Sequence, residues 1–221
     1  MNWAHGELGA VLIWINGPFG GGKTQTAHEL NRRLPGSVLC DPESVGFGLH
    51  RMMPKALRED FQHLRSWRAG VVEVLDLVLR KHNGPVLAPM TLIREDYFAE
   101  IIGVLRASGH DVRHFTLLAS RETVLRRLSE RGLGRLVQFV AGAGATLKHE
   151  TFAVRMLDEC LERLAAPQFA EHLHTDTTPI EAVADHIAAA CGLALTPADP
   201  SRVQARLRRA VVGLRHIRIG A

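Results

Sequence analysis

The sequence predicts an α/β fold in which a parallel sheet of about five strands is sandwiched by helices. Short apolar runs alternate along the chain with longer segments whose apolar residues recur at helical spacing. Strand, helix, strand, helix in this order indicates a parallel sheet, because two parallel strands need a crossover between them. The 221 residues are enough for one such domain with a buried core.

Five apolar runs have the length expected of strands that are buried on both faces. We predict these strands at residues 11–15, 37–40, 85–90, 112–118 and 171–175. Amphipathic helices are predicted between them at residues 24–34, 66–80, 97–108 and 121–130. A further helix begins near Thr178, with Thr178 as its cap, Pro179 in the first position and Glu181 three residues after the cap.

A glycine-rich loop joins the first strand to the first helix. It matches the pattern G-x-x-x-x-G-K-[ST] and consists of Gly17, Pro18, Phe19, Gly20, Gly21, Gly22, Lys23 and Thr24. Glycines let the backbone wrap a phosphate closely, so that successive N–H groups and the helix N-terminus face the anion. Lys23 would reach the β- and γ-phosphates, and the Thr24 hydroxyl would bind Mg²⁺. Because a strand precedes it and a helix follows, this phosphate loop (residues 17–24) predicts the binding of ATP, or a close relative, with Mg²⁺.

Asp41 directly follows the second predicted strand, which places it at the edge of the sheet where ligands bind. It would either take the proton from an acceptor hydroxyl or hold Mg²⁺. The run Asp41-Pro42-Glu43 is also a favourable helix start with Asp41 as the cap, so a purely structural role stays open. Thr91 follows the third strand, where many phosphate-loop enzymes carry a Mg²⁺-binding aspartate, and Asp41 is therefore the nearest obvious acid.

The fourth predicted helix and the residues after it carry a cluster of arginines: Arg121, Arg126, Arg127, Arg131 and Arg135. A mobile arginine can close over a phosphoryl group and neutralise the charge that develops on it. Arg127 and Arg131 are four residues apart and fit a pair facing a lid, which we place around residues 126–150. The Gly- and Ala-rich segment 132–148 predicts a loop there. A solvated helix face is the alternative interpretation of the arginines.

Two further segments are candidates for ligand contacts. Asp176 and Thr177 follow the last predicted strand, where the adenine lies in small kinases, although helix capping explains the same residues. The interval between the second and third strands, which often holds a substrate-binding insert, contains Phe61, His63, Trp67 and Arg68. Core packing is the better explanation of these aromatic residues.

The formal net charge of +4 alone would permit nucleic-acid binding, but no recognition-helix pattern accompanies it, so we predict a small-molecule substrate and no nucleic acid. Residues 1–195 are expected to form the phosphate-loop domain, and residues 196–221 a linker and a basic amphipathic helix. That helix would either pack on the domain or lie on the anionic inner face of a membrane. Three cysteines far apart in sequence fit free thiols in the cytoplasm.

Several runs of the sequence resemble the tunicamycin-resistance protein family. They are Ile13 to Ala27, Asp41-Pro42-Glu43, Val45-Gly46-Phe47, Ala88-Pro89-Met90-Thr91, His114-Phe115-Thr116-Leu117 and Leu214-Arg215-His216-Ile217-Arg218-Ile219. The resemblance extends over nearly the whole chain. It implies a P-loop NTPase fold like that of nucleoside-monophosphate and small-molecule antibiotic kinases, with ATP at residues 17–24 and Asp41 on the acceptor side. It also implies protection from tunicamycin, a lipid-tailed nucleoside antibiotic.

Two kinds of function follow. The first is an ATP-dependent phosphotransferase acting on a hydroxyl of a nucleoside or sugar antibiotic, in which Lys23, Mg²⁺ on Thr24 and a lid arginine stabilise the phosphoryl group. The second is a protein that binds and sequesters tunicamycin, with ATP as a structural ligand or switch, which the missing third-strand aspartate favours. A kinase for a metabolic sugar or nucleotide is the alternative acceptor class, since the fold does not select the acceptor.

Overall fold

The computed structural model describes residues 10–139 and 156–198, and of residues 131–139 the backbone alone. Its sheet has the five predicted strands: β1 Val11–Asn16, β2 Val38–Leu39, β3 Val86–Pro89, β4 Asp111–Leu118 and β5 His172–His174. All of them are parallel, in the order β2-β3-β1-β4-β5. The predicted α/β class, with a parallel sheet between helices, is confirmed.

Helices connect the strands and cover both faces of the sheet. They are α1 Lys23–Arg33, α2 Glu43–Met52, α3 Arg65–Lys81, α4 at residues 95–107, α5 Arg121–Phe139, α6 Leu157–Leu164 and α7 Ile180–Ala190. The middle of α4, Ala99–Gly103, is π-helical. Short 3₁₀ turns lie at Lys55–Leu57, Phe61–His63 and Pro167–Phe169.

Alternation along β1 decides which helices cover which face, since successive side chains of a strand point to opposite faces. Trp14 belongs to the core cluster that contains Trp67 of α3. Ile13 belongs to the opposite cluster, which contains Leu30 of α1 and Ile187 of α7. All five side chains are fully buried, and the burial of each contributes about 1.5–3 kcal/mol. This two-sided core holds β1, and therefore the start of the phosphate loop, at the centre of the sheet.

The register brings the carboxyl ends of the strands to one edge. Ile15 of β1 pairs with Pro89 of β3, and Asn16 pairs with Thr116 of β4. Thr116 pairs in turn with His172 of β5. The residues that follow each strand therefore meet along one edge, with the phosphate loop in the middle.

The helix that follows β4 is longer than its sequence pattern predicts. α5 continues to Phe139, into the segment expected to be a loop from residue 132. Residues 132–139 contain two glycines, each costing about 1 kcal/mol in a helix, and the other six residues tolerate a helix well. The rest of the expected lid, residues 140–150, and the C-terminal segment from residue 199 lie outside the described residues. Among the described helices, none has the length and apolar character needed to cross a membrane.

The cap predicted for α7 is wrong. The helix begins at Ile180, and the preceding Pro179 is extended, with ψ 154°. The Thr178 hydroxyl donates a hydrogen bond to the carbonyl of His174, the last residue of β5, at 2.9 Å. This threonine therefore binds a backbone group at the end of the strand instead of capping the helix.

Candidate nucleotide-binding site

Three glycines of the phosphate loop have backbone angles that favour glycine. The angle φ is 147° at Gly17, 78° at Gly20 and 99° at Gly22. A Cβ on Gly17 would lie 2.7 Å from the carbonyl oxygen of Leu117 in β4, a backbone atom. Gly22 directly precedes α1, so the N-terminus of this helix faces the loop. The backbone thus has the tight curvature that the wrapping of a phosphate requires.

Lys23 lies in the first turn of α1, and its side chain folds back over the loop. Its Nζ donates hydrogen bonds to the carbonyl oxygens of Gly17, at 2.9 Å, and Pro18, at 3.0 Å. The ammonium is also 5.6 Å from the centre of the Phe19 ring. Because Lys23 is only 8% exposed, its charge lies within the loop, where it can meet phosphate oxygens. Thr24, the next residue, is partly exposed at the same helix start.

A buried polar network lies behind the loop. Asn16 Oδ1 accepts hydrogen bonds from the backbone N–H of Gly17, at 2.8 Å, and of Leu92, at 2.9 Å. The Thr91 hydroxyl donates to the Gly17 carbonyl at 2.8 Å, so Thr91 contacts the phosphate loop itself. Asn16 also contacts His114 of β4. The sequence motifs assign a role to neither Asn16 nor His114, although both lie in runs that resemble the tunicamycin-resistance family, and Asn16 is the one polar residue of the otherwise apolar β1.

Asp41 performs the capping role that its sequence context allows. Its Oδ1 accepts a hydrogen bond from the backbone N–H of Glu43 at 2.9 Å, at the start of α2. Because Leu39 of β2 pairs with Leu87 of β3, Asp41 lies level with Pro89, at the same edge as the phosphate loop. Two strand spacings, roughly 10 Å, separate β2 from β1. The role of Asp41 as a base or Mg²⁺ ligand stays a prediction.

Buried side chains hold together the segment between β2 and β3, which is the candidate for a substrate-binding insert. Trp67 is fully buried, and its Nε1 donates to the carbonyl of Pro42 at 3.0 Å. Arg68 is 6% exposed and pairs with Glu100 of α4 at 2.6 Å. The Phe61 ring lies 5.4 Å from the Trp67 ring, centre to centre. Packing therefore accounts for Phe61 and Trp67, as expected of the aromatic residues, and an ion pair holds Arg68.

On the other side of the phosphate loop, polar contacts tie the ends of β4 and β5 together. Asp176 Oδ1 accepts from the Ser120 backbone N–H at 2.9 Å and from its hydroxyl at 2.6 Å. These bonds lower the pKa of Asp176 to about 2. Arg127 of α5 donates to the hydroxyl and the carbonyl of Thr175, and burial lowers the pKa of its guanidinium. Two predicted site residues, Arg127 and Asp176, therefore lie at the turn that follows β5. The third, Thr177, is the next residue of that turn.

The predicted metal ligands, Thr24 and Asp41, follow the first and second strands. Mg²⁺ at nucleotide sites takes one or two protein oxygens and completes its shell with phosphate oxygens and water, which suits a hydroxyl beside the phosphate loop. Within the described residues, no group of three or more His, Cys, Asp or Glu could hold a metal ion. Arg131 lies in α5, and its side chain is outside the described part of the chain.

An open groove of about 830 Å³ lies between α3 and α4. Its lining includes Arg65, Ala69, Asp76 and Val104. No lining residue belongs to the phosphate loop or to the strand ends around it, so the groove is separate from the candidate site.

Known proteins share this geometry. The tunicamycin resistance protein of Deinococcus radiodurans superposes with a TM-score of 0.67 and 31% sequence identity, over 85% of this chain and 99% of that one. The chain belongs to the tunicamycin-resistance protein family. Residues 12–149 also match the AAA domain family, to which the chain likewise belongs. Among proteins of curated function, no sequence matches.

Two more distant structures share the fold of this tunicamycin-resistance family member. A sugar kinase from Janibacter sp. HTCC2649 has a TM-score of 0.54 at 17% identity, over 84% of this chain and 95% of its own. A gluconokinase from Sinorhizobium meliloti 1021 has a TM-score of 0.52 at 15% identity, over 81% and 90%. The chain therefore has the fold of these P-loop kinases.

Proposed function

We propose that the protein is an ATP-dependent phosphotransferase whose acceptor is a hydroxyl of a nucleoside or sugar antibiotic, with tunicamycin favoured. One observation carries this proposal: the phosphate loop and the Asp41 carboxylate follow strands that end at the same edge of the sheet. Phosphoryl transfer needs this combination, because the enzyme must hold the phosphates and receive a proton from the attacking hydroxyl.

In this reaction the acceptor oxygen attacks the γ-phosphorus of ATP, and the bond from that phosphorus to the bridging oxygen breaks, releasing ADP. Asp41 takes the hydroxyl proton. A carboxylate has two oxygens, so the bond from Glu43 N–H to Oδ1 is compatible with proton transfer to the other oxygen. Lys23 neutralises charge on the β- and γ-phosphates. The Thr24 hydroxyl would hold Mg²⁺, which would supply positive charge to stabilise the transferring phosphoryl group.

The residues after β4 and β5 would serve the rest of the nucleotide. Asp176 and Thr177 would border the adenine, on the side of the loop opposite Asp41. Arg127 and Arg131 would approach the phosphates from α5, as part of a lid around residues 126–150. The hydrogen bonds from Arg127 to Thr175 support this placement, since they hold the guanidinium beside the strand end.

The choice of acceptor rests on the family. The Deinococcus radiodurans protein is a tunicamycin resistance protein, which supports this drug as the acceptor. The likeness to the sugar kinase and the gluconokinase concerns the fold alone, so a metabolic sugar is the weaker candidate.

A second candidate function is ATP-linked sequestration of tunicamycin without chemistry. Thr91 favours it, because this residue stands where many phosphate-loop enzymes carry an acid, and its hydroxyl donates to the Gly17 carbonyl. Sequestration predicts tight drug binding and an unmodified drug.

ADP formation with and without tunicamycin tests the phosphotransferase. We expect the drug to raise ADP formation in the wild type and to have no such effect in Asp41→Asn. Asparagine is as good a cap as aspartate, so this variant removes the base and keeps the start of α2. ADP formation that stays flat when the drug is added would count against the proposal, and drug binding measured in the same samples would then identify sequestration.

The C-terminal segment is a separate proposal. Residues 201–219, after a linker at 196–200, would form a basic helix that packs on the domain or lies on an anionic membrane, near a lipid-tailed substrate. Flotation with anionic vesicles, before and after deletion of residues 201–221, distinguishes the two. Equal vesicle binding by both forms would exclude the membrane role.

A further inference from the structure

The Asn16 side chain, at the end of β1, forms four hydrogen bonds in a fully buried position. Its Oδ1 accepts from the backbone N–H groups of Gly17, at 2.8 Å, and Leu92, at 2.9 Å. Its Nδ2 donates to the Leu92 carbonyl at 2.8 Å and contacts His114 Nε2 at 3.2 Å. A carboxamide has two N–H donors and two oxygen lone pairs, so the Asn16 side chain is fully engaged.

These contacts tie the phosphate loop to the segment after β3. The carboxamide pairs with both the N–H and the carbonyl of Leu92, much as a neighbouring strand would, although Leu92 lies beyond the end of β3. Thr91 adds a second connection, since its hydroxyl and Lys23 Nζ both donate to the Gly17 carbonyl. The first residue of the phosphate loop is therefore held through its N–H and through its carbonyl by contacts that lead to residues 91–92.

His114 is the part of this network that can respond to protons. Its Nδ1 lies 3.1 Å from the Ala170 carbonyl and must donate to it, which leaves Nε2 to accept from the carboxamide. The ring is 5% exposed and packs edge-to-face on Phe98, with centres 4.8 Å apart. Burial lowers the pKa of His114 to about 4, the bond to Ala170 opposes this shift, and Arg106 of α4 and His172 of β5 further disfavour a charge. The ring is therefore neutral at neutral pH.

We propose that Asn16 is a positioning residue that fixes the phosphate loop relative to residues 91–92, and that His114, accepting through Nε2, holds the carboxamide in its orientation. The inference rests on the proposed nucleotide site and identifies what keeps its loop in place. A rotated carboxamide would turn its NH₂ group towards two backbone N–H groups and its oxygen towards the Leu92 carbonyl. A proton on His114 Nε2 would set two donors against each other and favour that rotation.

Asn16→Asp tests the proposal because it keeps the shape of the side chain and replaces the Nδ2 donor by an oxygen. That oxygen would face the Leu92 carbonyl and His114 Nε2, so a proton on His114 becomes favourable. We expect the pKa of His114, followed by NMR of the full chain, to rise by roughly two units or more. We also expect the Kd for a non-hydrolysable ATP analogue to weaken about tenfold, the equivalent of the loss of one or two buried hydrogen bonds.

Thr116→Val is the matched control. Thr116 is fully buried beside Asn16 in the β1–β4 register, and its hydroxyl donates to the Phe169 carbonyl at 2.6 Å without contacting the loop. This variant should lose similar stability while its Kd for the analogue changes less than about twofold. Unchanged analogue affinity in folded Asn16→Asp, or a His114 pKa that stays near 4, would overturn the positioning role.

Two further readouts keep the test decisive. If Asn16→Asp does not fold, Thr91→Val removes only the hydroxyl bond to Gly17, and its analogue affinity is compared with that of Thr116→Val. A weaker affinity in Thr91→Val alone supports the placement of the phosphate loop by residues 91–92, on which the role of Asn16 depends, whereas equal affinities contradict that placement. Failure of the wild type to bind the analogue would contradict the proposed nucleotide site, and the His114 titration needs no ligand, so the two failures are distinguishable.

Discussion

Substituting alanine at three glycines of this chain would distinguish the cost of a positive φ from the cost of the close contacts in the phosphate loop. Gly36 and Gly20 have nearly the same positive φ, 77° and 78°, whereas Gly17 has 147°. A Cβ on Gly36 would meet no atom within 4 Å, and one on Gly20 would lie 3.2 Å from the Leu128 side chain. A Cβ on Gly17 would lie 2.7 Å from the Leu117 carbonyl oxygen. We therefore expect substitution by alanine to become more costly from Gly36 to Gly20 to Gly17.

The expected magnitudes follow from these contacts. Gly36→Ala bears only the strain of a left-handed residue, about 1 kcal/mol. Gly20→Ala adds a contact with a side chain that can shift, for a total of about 1–2 kcal/mol. Gly17→Ala combines backbone strain of about 1–3 kcal/mol with a similar overpacking term against a backbone atom of β4, so we expect a loss of about 3 kcal/mol or more.

Urea unfolding, followed by the fluorescence of the buried Trp14 and Trp67, measures these losses. Affinity for an ATP analogue should fall in Gly17→Ala and Gly20→Ala and stay unchanged in Gly36→Ala, which lies in a turn before β2. Gly17→Ala that is no less stable than Gly36→Ala would refute the close approach of the loop to β4.

Three further predictions concern the core, the pH dependence and the nucleotide site. Gly46→Ala should lower the free energy of unfolding by about 2 kcal/mol, because its Cβ would lie 2.5 Å from the Phe61 ring. Gly48→Ala, whose Cβ would have no atom within 4 Å, should be neutral or stabilising, and urea unfolding measures both. The burial that lowers the pKa of His114 from 6.5 to about 4 gives the folded state less affinity for a proton than the unfolded chain. The neutral ring therefore contributes to the free energy of unfolding above pH 6.5, and roughly 3 kcal/mol of that stability is lost as the pH falls towards 4. His114→Gln should lack this slope in urea unfolding across the same range, and a parallel profile would contradict the assignment. Asp176→Ala should weaken binding of the ATP analogue equally at about pH 5 and about pH 8, because the Asp176 carboxyl, with a pKa of about 2, is ionised at both. Calorimetry measures the two affinities, and a loss that depends on pH would argue against this ionisation state.

The order of strands and helices was predictable because each element carries its own local apolar pattern. The run at residues 11–15, for example, is apolar throughout because β1 is buried on both faces. The residues of the phosphate loop are contiguous, so their motif is visible without any knowledge of tertiary contacts. Their context, a strand before and a helix after, is equally local.

The remaining features depend on contacts between distant parts of the chain. Asn16 and His114 are 98 positions apart, and no local pattern reveals that two polar residues in separate strands meet. The Thr178 cap was wrong for a different, local reason, because its hydroxyl bonds to the carbonyl of His174, four residues earlier at the end of β5. Asp41 shows another limit. A strand end and a helix start coincide there, so sequence context predicts a cap and a base alike.

The most direct test of phosphoryl transfer is the mass of tunicamycin after incubation with the protein, Mg²⁺ and ATP, beside the Asp41→Asn variant. We expect a drug that has gained one phosphate group with the wild type, and an unmodified drug with the variant, whose α2 helix keeps its cap. An unmodified drug with the folded, ATP-binding wild type would contradict phosphoryl transfer to tunicamycin and would leave Asp41 as the cap of α2 alone.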